Sequence, residues 1–422
     1  MPKLLLFLAH MIGFEQFELK NGLKVIVHED HNVEQAVVNI LYDVGSRDED
    51  EHKTGFAHLF EHLMFGGSVN IPSYDEPLQK VGGDNNAFTS TDITNNYITM
   101  PANNLETAFW LESDRMESLS FDPKVLEVQQ NVVIEEFKQR YLDQPYGDVW
   151  LKLRPLAYKK HPYQWATIGK EISHIENATM DDVKDFFFKY YRPNNATMVV
   201  GGNVNVAEVE LLANKWFGNI PRGDRPPRKI PKEPTQNEYR KETLEANVPQ
   251  DSIYKVFHMP GRFDKNYYTT DLISDVLGRG NASRLNQKLV KEEKTFSAIN
   301  SFVTGSIDPG LLVISGRPVS GVTLEEAEKL IDLEVGKLLK KGISQAELEK
   351  VKNQAESAHV FGEVEILNRC MNLAFGSLSG NVNWVNEEVD KIRDVSAVGV
   401  QAMSQKILSN KNASVLYYKA IK

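Results

Sequence analysis

The chain has 422 residues, 41% of them hydrophobic and 25% charged, a length that predicts roughly two to four folded units and excludes a single small domain. No run approaches the roughly 18 to 20 uninterrupted apolar residues that a membrane span requires. The 48 Lys and Arg residues against 58 Asp and Glu residues give a formal charge of −10, which argues against nucleic acid as a partner.

The N-terminus carries an apolar run at residues 4–9 that follows Lys3, as the core of a secretion signal would. No small-x-small cleavage pattern follows it before the strand-like residues 17–19, so we favour a non-native or over-extended start. Residues 1–13 are therefore interpreted as an N-terminal extension. We expect a cytoplasmic protein, in preference to a periplasmic or secreted one.

Strands open the first half of the chain. Apolar residues alternate at 23–27 and 36–42, which predicts two strands around the Asn21-Gly22 turn and a polar loop. The acidic run from Asp48 to Glu51 lacks the spaced oxygen ligands and the glycine of a calcium-binding loop. We therefore expect it to be a solvated loop.

A helix is predicted from about Thr54, and it carries the sequence His58-Leu-Phe-Glu61-His62. Residues at i and i+4 share one helix face, so the two imidazoles can hold one metal ion. The order mirrors the common His-Glu-x-x-His motif of metalloproteases. Because Cys370 is the only cysteine, any metal must be held by nitrogen and oxygen.

A third ligand is expected from the helix predicted at residues 122–145. Its apolar face includes Val128, Val132 and Val133, and the helical period places Glu136 near the middle of that face and Glu135 at its edge. A buried carboxylate needs a cation or must be protonated. Bound zinc would supply the cation. The alternative is that the predicted buried face of this helix is wrong, in which case both glutamates are surface residues.

A duplication is predicted from the recurrence of one pattern. The helix that begins at Thr179, followed by a strand at 195–200, recurs as a helix from Ser396 and a strand at 412–417, and Ser396 lies 217 residues after Thr179. Near the middle, residues 221–236 are rich in proline and charge, which is typical of a linker.

The predicted architecture is two homologous α+β domains, 14–220 and 237–422, joined by the linker at 221–236. In each domain, long helices cover a sheet. The predicted helices include 105–118 in the first half, and 322–341 and 344–378 in the second.

Several motifs, in matching order and spacing, resemble the pitrilysin or insulinase (M16) family of zinc peptidases. They are Asn21 to Val25, Val44 to Ser46, Gly55 to Phe65, Asn86 to Ser90 and Val132 to Glu136. The resemblance covers essentially the whole chain and is strongest from residue 16 to 150. The length is similar to that of the branch with subunits of roughly 400 residues.

The resemblance implies one zinc ion per chain, held by His58, His62 and Glu136, with Glu61 as the general base. It also implies two related domains that enclose a chamber. Substrate could add as a strand along Asn86, Ala87, Phe88 and Thr89, although this segment is also explained as an exposed hairpin edge.

Two departures from the family pattern stand out. Gln129 occupies a position, seven residues before Glu136, where relatives carry a glutamate that supports the site. In the second half, aligned on Ser283-Arg-Leu, Lys291 and Ala298 stand where active relatives carry an arginine and a tyrosine that help to bind substrate and stabilise the oxyanion. We therefore expect a related partner subunit to supply that pair, although a homodimer remains possible.

Two classes of function remain in competition. The first is a zinc endopeptidase that cuts peptides or unfolded segments, with the second domain serving as an inactive substrate or partner side. The second is a non-catalytic assembly subunit, as some relatives have become. The intact set of His58, Glu61, His62 and Glu136 favours the peptidase, because a scaffold has no physical need for a buried cation site.

Overall fold

The computed structural model describes residues 11–224 and 227–421. The apolar run at residues 4–9, discussed above as a possible signal, lies outside this part of the chain. Within the described residues, no helix combines the length and the apolar character needed to cross a membrane.

The first sheet has six strands in the order β1-β2-β6-β3-β5-β4. The strands are β1 Glu15–Glu18, β2 Lys24–Glu29, β3 Gln35–Tyr42, β4 Asp84–Thr89, β5 Thr94–Pro101 and β6 Ala196–Gly202. The alternation at 23–27 and 36–42 corresponds to β2 and β3. Strands β2 and β6 pair in parallel, and all other neighbours are antiparallel. Because β4 stands last in this order, it is an edge strand.

The second sheet has five strands in the order β7-β11-β8-β10-β9. These are β7 Arg240–Ala246, β8 Ser252–His258, β9 Phe296–Val303, β10 Leu311–Pro318 and β11 Ala413–Ala420. Apart from β1, this order repeats that of the first sheet, including one parallel pair, β7 with β11. The repeated topology is the structural form of the predicted duplication, and the α+β class with two related domains is confirmed.

Helices surround both sheets. In the first half they are α1 Phe56–Leu63, α2 Asp75–Lys80, α3 Leu105–Glu117, α4 Pro123–Phe137, α5 Val149–Ala157, α6 Ile172–Glu176, α7 Met180–Tyr190 and α8 Val206–Phe217. In the second half they are α9 Tyr267–Gly278, α10 Leu324–Lys341, α11 Gln345–Gly362, α12 Ile366–Ser377, α13 Glu388–Arg393 and α14 Ala397–Ile407. The described residues also contain two π-helical segments, Lys138–Leu142 and Asn286–Glu292, and several short 3-10 helices.

The single helix predicted at 344–378 is wrong. The chain forms α11 and α12, which are separated at residues 363–365. Apolar spacing continues through both helices, but Gly362 ends the first one, because glycine has a low helix propensity. Most of α11 belongs to one compact unit of the structure and α12 to the other.

Two compact units result, and neither is contiguous in sequence. The first unit takes the chain up to Phe137, Trp165–Ile230 and Val360–Glu388; the second takes Lys138–Gln164, Pro231–His359 and the chain from Val389 onward. The domains predicted from the repeat, 14–220 and 237–422, are contiguous. The difference arises because each half contributes a helix to the other unit: α5 packs on β7, β8 and β11, and α12 packs on β3 and β6.

The core of the first unit contains α12. Ile366, Cys370, Leu373 and Ala374 are buried with a larger group from the sheet, which includes Ile26, Val37, Leu41 and Val199. Ile12, from the segment interpreted as an extension, belongs to the same core. The second half of the sequence therefore helps to stabilise the unit that carries the His-x-x-Glu-His motif.

Leu373→Ala should lower the free energy of unfolding by about 2–5 kcal/mol, because it removes a fully buried side chain and leaves a cavity. The matched control is Leu333→Ala in α10, where the leucine is 61% exposed and the expected change is below about 0.5 kcal/mol. Urea denaturation followed by tryptophan fluorescence measures both. Equal stabilities of the two variants would contradict the packing of α12 on the first sheet.

The predicted linker is held by charged residues at both ends. Arg228 forms ion pairs with Asp48 at 2.7 Å and Asp43 at 2.9 Å. Glu233 accepts hydrogen bonds from the backbone N–H groups of residues 159, 160 and 161. Arg228 is thus bound to residues of the first unit, and Glu233 to residues of the second.

Candidate metal centre

Helix α1 presents both histidines of the motif on one side. Its other side is buried, and Phe60 packs against Phe186 and Tyr191 with ring centroids 5.1 Å apart in each case. Burial of that face fixes the rotation of the helix, so His58 and His62 point the opposite way. Their ring centroids lie 4.8 Å apart, with the rings nearly perpendicular.

Glu136 reaches the same point from α4. Its Oε2 lies 3.6 Å from Nε2 of His58 and 3.5 Å from Nε2 of His62. Within the described residues, these three side chains form the group of histidine, cysteine and acidic residues able to hold a metal ion. Two elements that are distant in sequence, α1 and α4, therefore bring these three side chains together.

The donor set fits a zinc ion. Tetrahedral coordination with Zn–N and Zn–O bonds of about 2.0–2.2 Å requires ligand atoms about 3.3–3.5 Å apart, close to the 3.5 and 3.6 Å observed. The side chains are only 14%, 23% and 17% exposed for His58, His62 and Glu136, so water competes weakly for them. Three protein ligands leave a fourth position open, as in catalytic zinc sites.

The helical phase that selected Glu136 was partly wrong. Val128 and Val132 are 56% and 44% exposed, whereas the buried apolar residues of α4 are Leu126, Val133, Ile134 and Phe137. Glu136 still points inwards because it lies three residues after Val133, and Glu135 is exposed. Glu136 is more buried than Glu135, because Glu136 lies near Val133, which belongs to both the predicted and the observed face of α4.

Glu61 lies next to His62 in the sequence but does not belong to the group of three candidate ligands. Burial raises the pKa of its carboxyl group, and the negative charge of Glu136 acts in the same direction. Hydrogen bonds from the side chain and backbone of Thr89, together with the charge of His62, oppose the rise. A carboxylate with a raised pKa is a better proton acceptor, which suits a general base.

The predicted substrate-binding segment lies on the edge strand β4. Asn86, Ala87, Phe88 and Thr89 pair with β5 on one side, and no other described strand pairs with them on the other side. Phe88 is 39% exposed, and the Asn86 side chain accepts a hydrogen bond from the N–H of Ala87. Because Thr89, the last residue of β4, bonds to Glu61, this edge ends beside the Glu61 carboxyl group.

The acidic run from Asp48 to Glu51 is not a solvated loop, contrary to expectation. Glu49 is 7% exposed, and the Asp48 side chain is 2% exposed and paired with Arg228. Only the last two residues of the run are exposed. Asp48 and Glu49 contact Arg228 and Trp165, which lie far away in the sequence, so no local pattern could identify these partners.

Gln129 is half-buried on α4, two helical turns before Glu136. The side-chain amide of the neighbouring Gln130 donates hydrogen bonds to the carbonyl oxygens of Ile175, at 2.7 Å, and Ala178, at 3.0 Å. Sequence reasoning missed Gln130, because its partners lie more than 40 residues away. A supporting role for Gln129 stays a prediction.

The residues aligned with the missing arginine and tyrosine lie in the second unit. Lys291 is exposed in the π-helical segment, and Ala298 is exposed on the edge strand β9, opposite Arg317 of β10. Alanine offers no hydrogen-bond donor in its side chain, and lysine lacks the planar fork of arginine.

Comparison with known proteins gives two family matches. Residues 24–169 match the family described as "Insulinase (Peptidase family M16)", and residues 177–355 match the description "Peptidase M16 inactive domain". The first match contains all three candidate ligands and Glu61. The second contains Lys291 and Ala298.

The chain is also similar to individual proteins. It is 33% identical over 352 residues to zinc protease PqqE of Helicobacter pylori, with 82% of this chain and 79% of that protein covered. It is 29% identical over 217 residues to the mitochondrial-processing peptidase subunit beta of Saccharomyces cerevisiae, covering 51% and 46% respectively. The crystal structure of a protease from Helicobacter pylori has a TM-score of 0.91 at 28% identity, covering 97% of this chain and 100% of that chain.

Proposed function

This chain belongs to the insulinase family of peptidases, family M16, and on that premise we propose that it is a zinc-dependent endopeptidase that hydrolyses peptides or unfolded segments. The observation that carries the proposal is the convergence of His58, His62 and Glu136, whose ligand atoms lie within 4.8 Å of one another, next to a second carboxylate, Glu61, that is not part of this group. The zinc protease similar to it in sequence supports the choice of metal.

Zinc held there would lower the pKa of its bound water towards about 7 and polarise a peptide carbonyl. Glu61 would accept the proton of the attacking water and return it to the amine that leaves. Thr89 orients this carboxylate through its hydrogen bonds. His58, His62 and Glu136 would hold the ion and keep their side chains fixed through the reaction.

The edge of β4 would align the substrate. An extended peptide that pairs with Asn86, Ala87, Phe88 and Thr89 would place its backbone beside Glu61, to which Thr89 is bonded. Main-chain pairing tolerates many side chains, which fits an enzyme that acts on unfolded segments. The alternative, that β4 is only an exposed hairpin edge, predicts no effect of Phe88 or Asn86 on the KM for peptides.

We further propose that the active enzyme contains a second, related chain. Lys291 and Ala298 leave the second half without a planar cation and a hydroxyl donor, and a second copy of this chain would bring the same two residues. The yeast relative is by name a subunit of a processing peptidase, which supports a heteromeric assembly. A related chain with arginine and tyrosine at these positions would complete the oxyanion site.

The zinc-loaded chain alone should hydrolyse an unstructured peptide poorly, and the partner should raise kcat/KM by about 100-fold or more, the effect of one oxyanion donor. The partner to test is a chain of the same two-domain type that lacks His-x-x-Glu-His but carries the arginine and the tyrosine. Activity is measured with each chain alone, with both, and after removal of zinc by a chelator.

Full activity without the partner, or no gain on adding it, would contradict the heteromeric assembly. Absence of chelator-sensitive hydrolysis in every combination would contradict the peptidase itself. The partner with its tyrosine replaced by phenylalanine is the matched control, because it keeps the assembly and removes only the hydroxyl.

A further inference from the structure

A buried carboxylate lies against the beginning of the helix that carries both histidines. Oε1 of Glu49 accepts a hydrogen bond from the backbone N–H of Ala57 at 2.9 Å, and Oε2 accepts one from Gly55 at 3.0 Å. Oε2 also accepts from the indole Nε1 of Trp165 at 3.0 Å. The side chain is thus enclosed by three N–H donors from two distant parts of the chain.

The residue at the N-cap position of α1 has no side chain that could supply this cap. Helices are commonly capped by a serine, threonine, aspartate or asparagine side chain at the N-cap position, but here that position is Gly55, with φ of 88°. A Cβ atom on Gly55 would lie 2.7 Å from the carbonyl oxygen of Ile168 and 2.8 Å from Cδ1 of Ile175. Because only glycine fits, the N–H groups of the first turn need an acceptor from elsewhere.

Glu49 is that acceptor, and its own position is fixed. Trp165 donates both to Glu49 and to the carbonyl oxygen of Ser46, at 2.9 Å, so one indole joins two points of the loop before α1. Burial raises the pKa of Glu49, while the hydrogen bonds from Ala57, Gly55 and Trp165 oppose that rise. All three partners are N–H donors, so each needs a lone pair of the Glu49 carboxyl oxygens as its acceptor.

The capped turn leads directly into the candidate metal site. Ala57, whose N–H is bonded to Glu49, immediately precedes His58. A helix end without its cap frays over the first turn, and in α1 that turn contains His58. The i and i+4 pair needs both residues in regular helix, so loss of the cap would move one imidazole relative to the other.

We propose that Glu49 is a positioning residue for the metal centre: by fixing the first turn of α1 it holds His58 in the orientation that binds the ion. The inference rests on the proposed function, since it assumes that His58, His62 and Glu136 bind zinc. It assigns a role to a residue that touches neither the metal nor the substrate. Side chains that hydrogen-bond a metal ligand directly commonly change metal affinity by about 10–100-fold when they are replaced, and Glu49 would act on His58 through the backbone of the residue before it.

The test replaces Glu49 by glutamine in the full-length chain. The amide keeps one acceptor and turns an NH2 group towards an N–H donor, so one hydrogen bond of the cap is lost. We expect zinc affinity, measured by competition with a chromophoric chelator, to fall by about 10-fold or more. The visible spectrum of the cobalt-substituted protein should change as well, because it reports ligand geometry, which a loss of stability alone would leave unchanged.

The chain offers a matched control. Glu233 also accepts three N–H hydrogen bonds, at 2.8, 2.8 and 2.9 Å, but it lies in the second unit. Glu233→Gln should lower the melting temperature without changing zinc affinity by more than about twofold or altering the cobalt spectrum. Equal zinc affinities for Glu49→Gln and the parent, or equal losses for Glu49→Gln and Glu233→Gln, would overturn the proposal.

A second variant decides the matter if Glu49→Gln does not fold. Trp165→Phe keeps an aromatic ring but removes the N–H that bonds to Glu49 and Ser46, together with part of the buried indole. The remaining backbone bonds should hold the cap partly, so we expect a smaller loss of zinc affinity with an altered cobalt spectrum. An unchanged affinity and spectrum in this variant would overturn the proposal.

The proposed function and the positioning role fail in different ways. If the parent chain does not bind zinc, or binds it without His58 and His62, the metal site itself is wrong. If the parent binds zinc through those residues and Glu49→Gln binds it equally well, only the role of Glu49 is wrong.

Discussion

Glu61→Gln should leave the chain with close to one bound zinc ion and lower the rate of peptide hydrolysis by a factor of about 10²–10⁴, the usual contribution of a general base. Glu61 lies outside the group formed by His58, His62 and Glu136, so its replacement leaves the ligands intact. Glutamine has nearly the same shape and can still accept the hydrogen bond from Thr89, but it cannot accept a proton from water. Metal analysis of the purified variant and a peptide assay with its partner measure both quantities.

The comparison that separates the two roles uses His58→Ala and His62→Ala. Each should lose zinc and activity together, because each removes a ligand atom that lies within 3.6 Å of Glu136. If zinc is lost from Glu61→Gln as well, Glu61 serves the metal and the assignment of the base is wrong. If Glu61→Gln retains both zinc and activity, another group accepts the proton.

Glu136→Gln should weaken zinc binding by more than about 100-fold, beyond the effect usually seen for residues that only support a ligand. The amide is neutral, whereas the ionised carboxylate brings a negative charge to a cation in a largely buried position, where its exposed fraction is 17%. The adjacent Glu135→Gln is the matched control, because Glu135 is exposed on the same helix. We expect it to change zinc affinity by less than about threefold.

Chelator competition at fixed pH gives the two affinities, and circular dichroism establishes that both variants are folded. Similar losses for Glu135→Gln and Glu136→Gln would mean that the orientation of α4 differs from that described above, or that both carboxylates serve the metal. A loss of zinc affinity in Glu135→Gln alone would mean that Glu135, and not Glu136, is the third ligand.

The local elements of this protein follow from its sequence because their signals are local. Alternating residues identify β2 and β3, and the i, i+4 spacing of His58 and His62 places two imidazoles on one side of any helix that contains them. The duplication is likewise visible in sequence, and the two sheets repeat the same strand order. Such patterns report period and composition, which no distant part of the chain can alter.

The sequence of a helix does not by itself show which of its faces is buried, because the elements that pack against it decide this. On α4, Val128, Val132 and Val133 suggested one face, yet Val128 and Val132 are exposed and Phe137 is buried. The position of Glu136 was anticipated only because Val133 lies on both faces. An exposed valine and a buried one look alike in sequence, since only packing tells them apart.

Sequence alone therefore determined the class of fold, the duplication and the pair of histidines on one helix face. Tertiary structure alone decided that Glu49 caps that helix and that α5 and α12 each pack in the unit of the other half. The physical reason is that these contacts join residues far apart in the chain: Glu49 meets Trp165, and α12 packs on β3. A hydrogen-bond acceptor or an apolar helix face specifies what kind of partner it needs, but the folded chain specifies which one it meets.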